Sequence, residues 1–207
     1  MASYIPKRVK CQCCGHVFEE NLLRGFFQNN AMGLDRNPHT PAVYDTIVLC
    51  PQCGYATRHL NKPVSEQVKV YVQSSVFCQL KESLPYNDPL SKFVLCANIL
   101  GETGDFKSAA DTYLMGHWYA LDKAEATDAF LPKAIECYSH YLEKHQDIET
   151  AIVLIDCLRQ AGRFDEANET AQSLQPYIKI ERLQRIVSYE LQLISSRDAK
   201  PHLVSEV

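Results

Sequence analysis

At 207 residues, 46% of them hydrophobic and 22% charged, the chain is long enough to bury a core and has the composition of a globular protein. Its net charge of −4 argues against wholesale nucleic-acid binding, and no apolar run approaches the ~20 residues that cross a bilayer. Nine cysteines, an odd number, fit a reducing compartment better than a disulfide framework, and the first seven residues lack the apolar stretch of a signal peptide. A cytoplasmic protein is expected. The charge is uneven: residues 1–62 carry seven Lys/Arg and four Asp/Glu, a net of +3, whereas the remainder carries 14 and 21.

Taken in order, residues 4–10 predict a short strand leading into Cys11-Gln12-Cys13-Cys14-Gly15, and the alternation in Gly15–Glu20 predicts the returning strand of a hairpin. Residues 22–44 read as irregular, broken by Gly25, Gly33, Asn37-Pro38 and Thr40-Pro41. Val43–Leu49 is β-branched and aromatic, which predicts a strand feeding Cys50-Pro51-Gln52-Cys53-Gly54. From Pro63 onward apolar residues recur at helical spacing. Helices are expected over 65–80, 90–100, from Asp105 through Trp118, over 126–145, from Asp147 to Gly162, from Arg163 to before Pro176, and around Leu183–Ile194, with a frayed tail from Ser195 to Val207. The division that follows is 1–62 and 63–207.

Each cysteine cluster is a Cys-x-x-Cys followed at once by Gly. Zinc takes four ligands in a tetrahedron, two short knuckles supply two each, and a glycine lets the backbone turn tightly behind them. Cys11, Cys14, Cys50 and Cys53 are the expected ligands of a structural Zn²⁺ ion, with Cys13 either a spare thiol or a substitute for Cys11. A redox pair would need one such motif at a helix start, and a closed four-thiolate site leaves no position for catalytic water. His16 and His59 stand near the knuckles as outer-shell donors, substitute ligands or, the commoner case, surface residues. Cys78, Cys96, Cys137 and Cys157 sit beside apolar helical stripes, where burial as small hydrophobes is expected.

Gly104-Asp105-Phe106-Lys107-Ser108-Ala109 and Gly162-Arg163-Phe164-Asp165-Glu166-Ala167 share the pattern Gly-x-Phe-x-x-Ala at the turn into a helix. That is the signature of tetratricopeptide-like helix pairs, although the 58-residue offset is longer than the usual repeat of about 34. An ordinary helical bundle is the other reading. The first Cys-x-x-Cys, then Pro41-Ala42-Val43-Tyr44 leading to Val48-Leu49-Cys50-Pro51-Gln52-Cys53-Gly54-Tyr55-Ala56, then helical repeats, resembles the bacterial domain-of-unknown-function 2225 family. The resemblance implies a zinc ribbon followed by tetratricopeptide-like helices and no agreed activity; Gln12-Cys13 between the first pair departs from the family pattern.

The expected fold class is α+β, mostly α: a small four-cysteine zinc ribbon followed by an array of helix pairs. No nucleophile elbow, phosphate loop or dinucleotide fingerprint occurs. The reading that follows is a non-enzymatic interaction protein binding a protein or peptide partner through its helices, with Tyr113, His117 and Tyr138 as candidate partner-contacting residues. Trp118, Tyr119 and Tyr141 would line the same groove or form core. A nucleic-acid accessory factor using the basic ribbon is the alternative, and an enzyme built on Cys13 or a histidine cluster is the third.

Overall fold

The strands expected on either side of the first cysteine cluster form a long hairpin. In the computed structural model, which describes residues 2–27, 31–85, 88–124 and 129–207, β1 (Ala2–Lys10) and β2 (Val17–Phe26) pair antiparallel, with one irregularity between Ser3 and Tyr4. The chain divides into two compact units, Met1–Phe27 with Pro41–Phe130 and Gln28–Thr40 with Leu131–Val207. The boundary expected at residue 62 therefore falls inside the first unit.

In that unit the strand expected over 43–49 is mostly a 3₁₀ turn, Pro41–Thr46. Pro41 presets φ for a helical first turn, and Thr46 Oγ1 donates to the Val43 carbonyl at 2.7 Å. Only Val48–Leu49 (β3) is extended, pairing antiparallel with β4 (Ala56–Thr57) across the second knuckle. The helix expected over 65–80 is two: α1 (Glu66–Gln73) and α2 (Ser75–Ser83). Ser74 breaks them because its side chain accepts from Phe77 N–H and caps a new helix.

α3 (Pro89–Glu102) starts on the Asp88 cap with Pro at the first turn, and α4 (Phe106–Lys123) starts on Asp105. They pack together through Phe93, Ala97, Ala109, Ala110 and Leu114, all essentially inaccessible. Tyr44 from the 3₁₀ turn meets Phe93 and Tyr119 edge-on at 6.3 and 5.2 Å. Gly116 is glycine for a reason of space: a Cβ there would sit 2.4 Å from the Phe130 ring.

The second unit contains most of α5 (Phe130–Leu142), then α6 (Ile148–Gln160), α7 (Phe164–Leu174) and α8 (Glu181–Ser195). The start expected for α5 at 126 lies outside the described residues. The two Gly-x-Phe-x-x-Ala turns are built alike. Gly104 and Gly162 take φ of +81° and +73°, and the next residue's N–H reaches back to Leu100 and Leu158 respectively. Each closes a helix and points Phe106 or Phe164 into the next. Two like helix hairpins are thereby present, one in each unit.

The tail is not frayed. Arg159, fully buried on α6, donates to Glu190 Oε2 of α8 at 2.8 Å, to Asp156, and to the carbonyls of Asp198 and Lys200 at 2.7 Å each. Gln160 extends the cluster from Asp156 to the buried Asp35. Farther along, Leu203 bridges Gly33, and Val204 N–H donates to the Met32 carbonyl at 2.8 Å. The polar tail is ordered because its backbone groups find buried partners. Glu190 lies beside Asp156, so one guanidinium serves two carboxylates. Burial, then the Asp156 charge, push Glu190 up to about 9. Although its distance to Arg159 is that of an ion pair, burial beside Asp156 favours the protonated form, in which Arg159, Asp156 and Glu190 are neutral together.

Candidate metal centre

The two knuckles fold the same way because they have the same spelling. Gly15 and Gly54 adopt φ of +78° and +81°, a conformation that costs glycine little. In each, the first cysteine's N–H donates across the turn: Cys11 to the His16 carbonyl at 2.8 Å, Cys50 to the Tyr55 carbonyl at 2.9 Å. Each glycine N–H closes the loop onto the first cysteine's carbonyl, at 2.9 and 3.0 Å. The first knuckle is the turn of the β1–β2 hairpin and the second is the turn of β3–β4.

These turns bring four sulfurs together. Cys11 Sγ lies 3.7 Å from Cys53 Sγ, and Cys14 Sγ lies 3.8 Å from Cys50 Sγ. All four lie within 4.8 Å of one another. A tetrahedron with metal–sulfur bonds of about 2.3 Å has edges of about 3.8 Å, so the cluster is sized for a metal ion such as zinc. The four expected ligands are thus gathered in one site that could hold a metal ion. Cys11 and Cys50 are buried while Cys14 is exposed at the rim.

Burial works against ionisation of most of these thiols. Burial, partly offset by the Gln52 and Cys53 amides, pushes Cys50 up to about 11 and, despite the Tyr55 amide, Cys53 higher still. At Cys14 burial is outweighed by the His16 amide and the neighbouring thiols, which bring it below the usual thiol range. Four thiolates cannot ionise side by side unless a divalent ion balances them. Lys81 of α2 supports the site from outside, donating to the Gln52 carbonyl inside the second knuckle at 2.8 Å.

Cys13 stands outside the four-sulfur group, half-exposed, with its backbone N–H 3.4 Å from Cys11 Sγ. His16 stacks on Phe18 and His59 is exposed; neither joins the cluster. Of the remaining cysteines Cys96 and Cys157 are buried as expected, Cys137 is half-buried, and Cys78 is exposed.

The candidate partner-contacting residues are core. Tyr113, His117 and Tyr138 are 7%, 5% and 2% exposed, and the Tyr113 hydroxyl accepts from Asn98 of α3 at 2.9 Å. Their helical spacing reflects helix packing, not a groove; Trp118, at 6%, belongs with them. No family model, curated protein or solved structure matches the chain.

Proposed function

We propose that the protein is a zinc-binding, non-enzymatic interaction protein whose four-cysteine centre is structural. The observation that carries this reading is the closed set of four sulfurs at tetrahedral-edge distance, which leaves no ligand position for a reacting water. Cys11, Cys14, Cys50 and Cys53 would hold the ion. What the ion supplies is a cross-link between the β1–β2 and β3–β4 turns, where the hairpin is nearly all exposed and buries only Val9. Membership of the domain-of-unknown-function 2225 family is part of this proposal, as is a tetratricopeptide-like reading of the helices, supported by the two like turns at Gly104 and Gly162. The helical surface would then engage a protein or peptide segment in the cytoplasm.

The nucleic-acid reading has less support. Two of the three basic residues of β1 are matched across the hairpin, Lys7 opposite Glu20 and Arg8 opposite Glu19, while Lys10 lies opposite Val17, so the basic stripe is interrupted. Metal analysis of chelator-free protein should find one zinc per chain, and cobalt substitution should give the charge-transfer bands of tetrahedral thiolate coordination. Less than a tenth of an equivalent of metal would end the structural-zinc reading. Affinity capture with Tyr113, His117 and Tyr138 left intact tests the partner half separately.

A further inference from the structure

Beside the second knuckle runs a groove of about 470 Å³ that the metal centre does not use. One wall is the loop after β4, carrying Arg58, His59 and Lys62; the other is the turn from α3 into α4. We propose that this groove is a binding site for a small organic anion with an aliphatic body.

The charge argument starts at Arg58. Its guanidinium donates to Thr112 Oγ1 at 3.2 Å and lies against Met115 Sδ, both on α4 and both neutral. Among the described residues no carboxylate pairs with it, and Lys62 and His59 on the same loop are likewise without acidic partners. An arginine held in place yet uncompensated offers a ready fork for a carboxylate or phosphate oxygen pair. Two helices also begin here. Ser65, the cap of α1, and Asp105, the cap of α4, line the groove with Val68 and Ser108 from the first turns. The N-terminus of α1 favours negative charge, whereas that of α4 is already capped by the Asp105 carboxylate, which accepts from Ser108 N–H. Repelled by Asp105, a ligand's charge would pair with Arg58 instead.

The body of the ligand follows from the floor. Val64, Val68, Ile99 and Leu100 give an apolar surface, and Cys96 adds a buried thiol that stays neutral, because burial pushes it up to about 11. A concave site of this size, with an apolar floor and polar walls, can take a small molecule that has both an apolar body and a charged end. Inorganic anions would satisfy Arg58 and leave this floor wet.

The test uses the full-length, zinc-loaded protein and amide chemical shifts. Hexanoate should shift the amides of Arg58, Lys62, Val68 and Ser108 in a saturable way. Acetate and inorganic phosphate should bind about tenfold more weakly or worse, because they lack methylenes to bury. Arg58→Gln should weaken hexanoate about tenfold, as loss of a charge-assisted hydrogen bond does. Lys62→Gln should weaken it less, and Lys7→Gln, on the hairpin, not at all. An unchanged hexanoate affinity in a folded Arg58→Gln protein, shifts that map elsewhere, or phosphate binding as tight as hexanoate would each overturn the proposal. If Arg58→Gln fails to fold, the wild-type shift map and Lys62→Gln decide it in the same way.

Discussion

Two polar centres organise the two halves of this chain, and they solve one problem by opposite chemistry. In the first unit, four sulfurs from two short turns converge where strands of only two residues and an exposed hairpin provide little apolar core. In the second, the Arg159 guanidinium gathers α6, α8 and two carbonyls of the C-terminal segment, with Gln160 reaching the 31–40 loop. The sulfur centre could hold an ion supplied from outside the chain. The arginine centre draws its charges from the chain itself, with Arg159, Asp156 and Glu190 neutral together once Glu190 holds its proton, and it is worth little unless every partner is present. A metal site can therefore be emptied by removing its ion, whereas the arginine hub can be broken only by changing its residues.

The largest effect expected is at the sulfur centre. Cys50→Ser should drop bound zinc below a tenth of an equivalent and collapse the amide dispersion of residues 2–27 and 41–62. Metal binding in comparable sites contributes about 10–16 kcal/mol of apparent folding energy, more than this sheet can replace. Cys13→Ser should leave both readouts unchanged, since Cys13 lies outside the four-sulfur group. Equal zinc loss in both variants would mean the first cluster shares the metal differently.

The arginine centre should break next. Arg159→Met removes one cation from between two fully buried carboxylates, for a loss of about 3–5 kcal/mol in urea unfolding. Glu190→Gln is the sharper probe. If Glu190 is the protonated member, the isosteric amide should cost about 1 kcal/mol or less. A loss as large as that of Arg159→Met would show that Glu190 is ionised and salt-bridged.

The contrast also explains what the sequence disclosed. Cys-x-x-Cys-Gly is a local spelling: spacing, ligand type and the left-handed glycine lie within five residues, so the site was legible residue by residue. So were the turns at Gly104 and Gly162 and most helices. The arginine centre was not, because Asp35, Asp156, Arg159, Glu190 and two tail carbonyls are brought together only by tertiary structure. The polar tail read as frayed for that reason. Val43–Leu49 read as a strand on β-branched content, but Pro41 and the Thr46 hydroxyl favour a 3₁₀ turn. Tyr113, His117 and Tyr138 read as an exposed groove because periodicity shows which residues share a face and not whether another helix covers it.

A finer comparison separates the two knuckles. Gly15→Ala and Gly54→Ala both force alanine into a left-handed conformation, at roughly 1–2 kcal/mol. Around Gly15 nothing lies within 4 Å of an added Cβ, but at Gly54 the Cβ would meet the Lys81 side chain at 2.8 Å and the Phe77 ring at 3.3 Å. Gly54→Ala should therefore destabilise more and should loosen zinc, because the displaced Lys81 holds the knuckle carbonyl. Equal thermal shifts in the two variants would show that α2 does not brace the second knuckle.

The smallest effect expected lies at the tail, and it carries a sign. Glu206 accepts from the His202 ring at 2.7 Å, from Leu203 N–H at 2.9 Å and from the Tyr189 hydroxyl at 3.0 Å. The His202 bond first, and the Leu203 amide second, hold its carboxyl down to about 2. Asp198 is lowered too, mainly by the Lys200 amide and then by His202. A depressed carboxyl stabilises the fold above its unfolded value near 4.3 and stops doing so as pH falls through about 2. The clasp should thus be intact at pH 7 and weaken between about pH 5 and 2. Because Glu206 is exposed, solvent screens the effect, and a small shift in urea midpoint is expected. Glu206→Gln should lower that midpoint at pH 7 and converge on the wild type near pH 2. A difference that persists unchanged at pH 2 would assign the loss to packing of the 3₁₀ turn Val204–Glu206, leaving the Arg159 centre and the backbone bonds to Met32–Leu34 to order the tail.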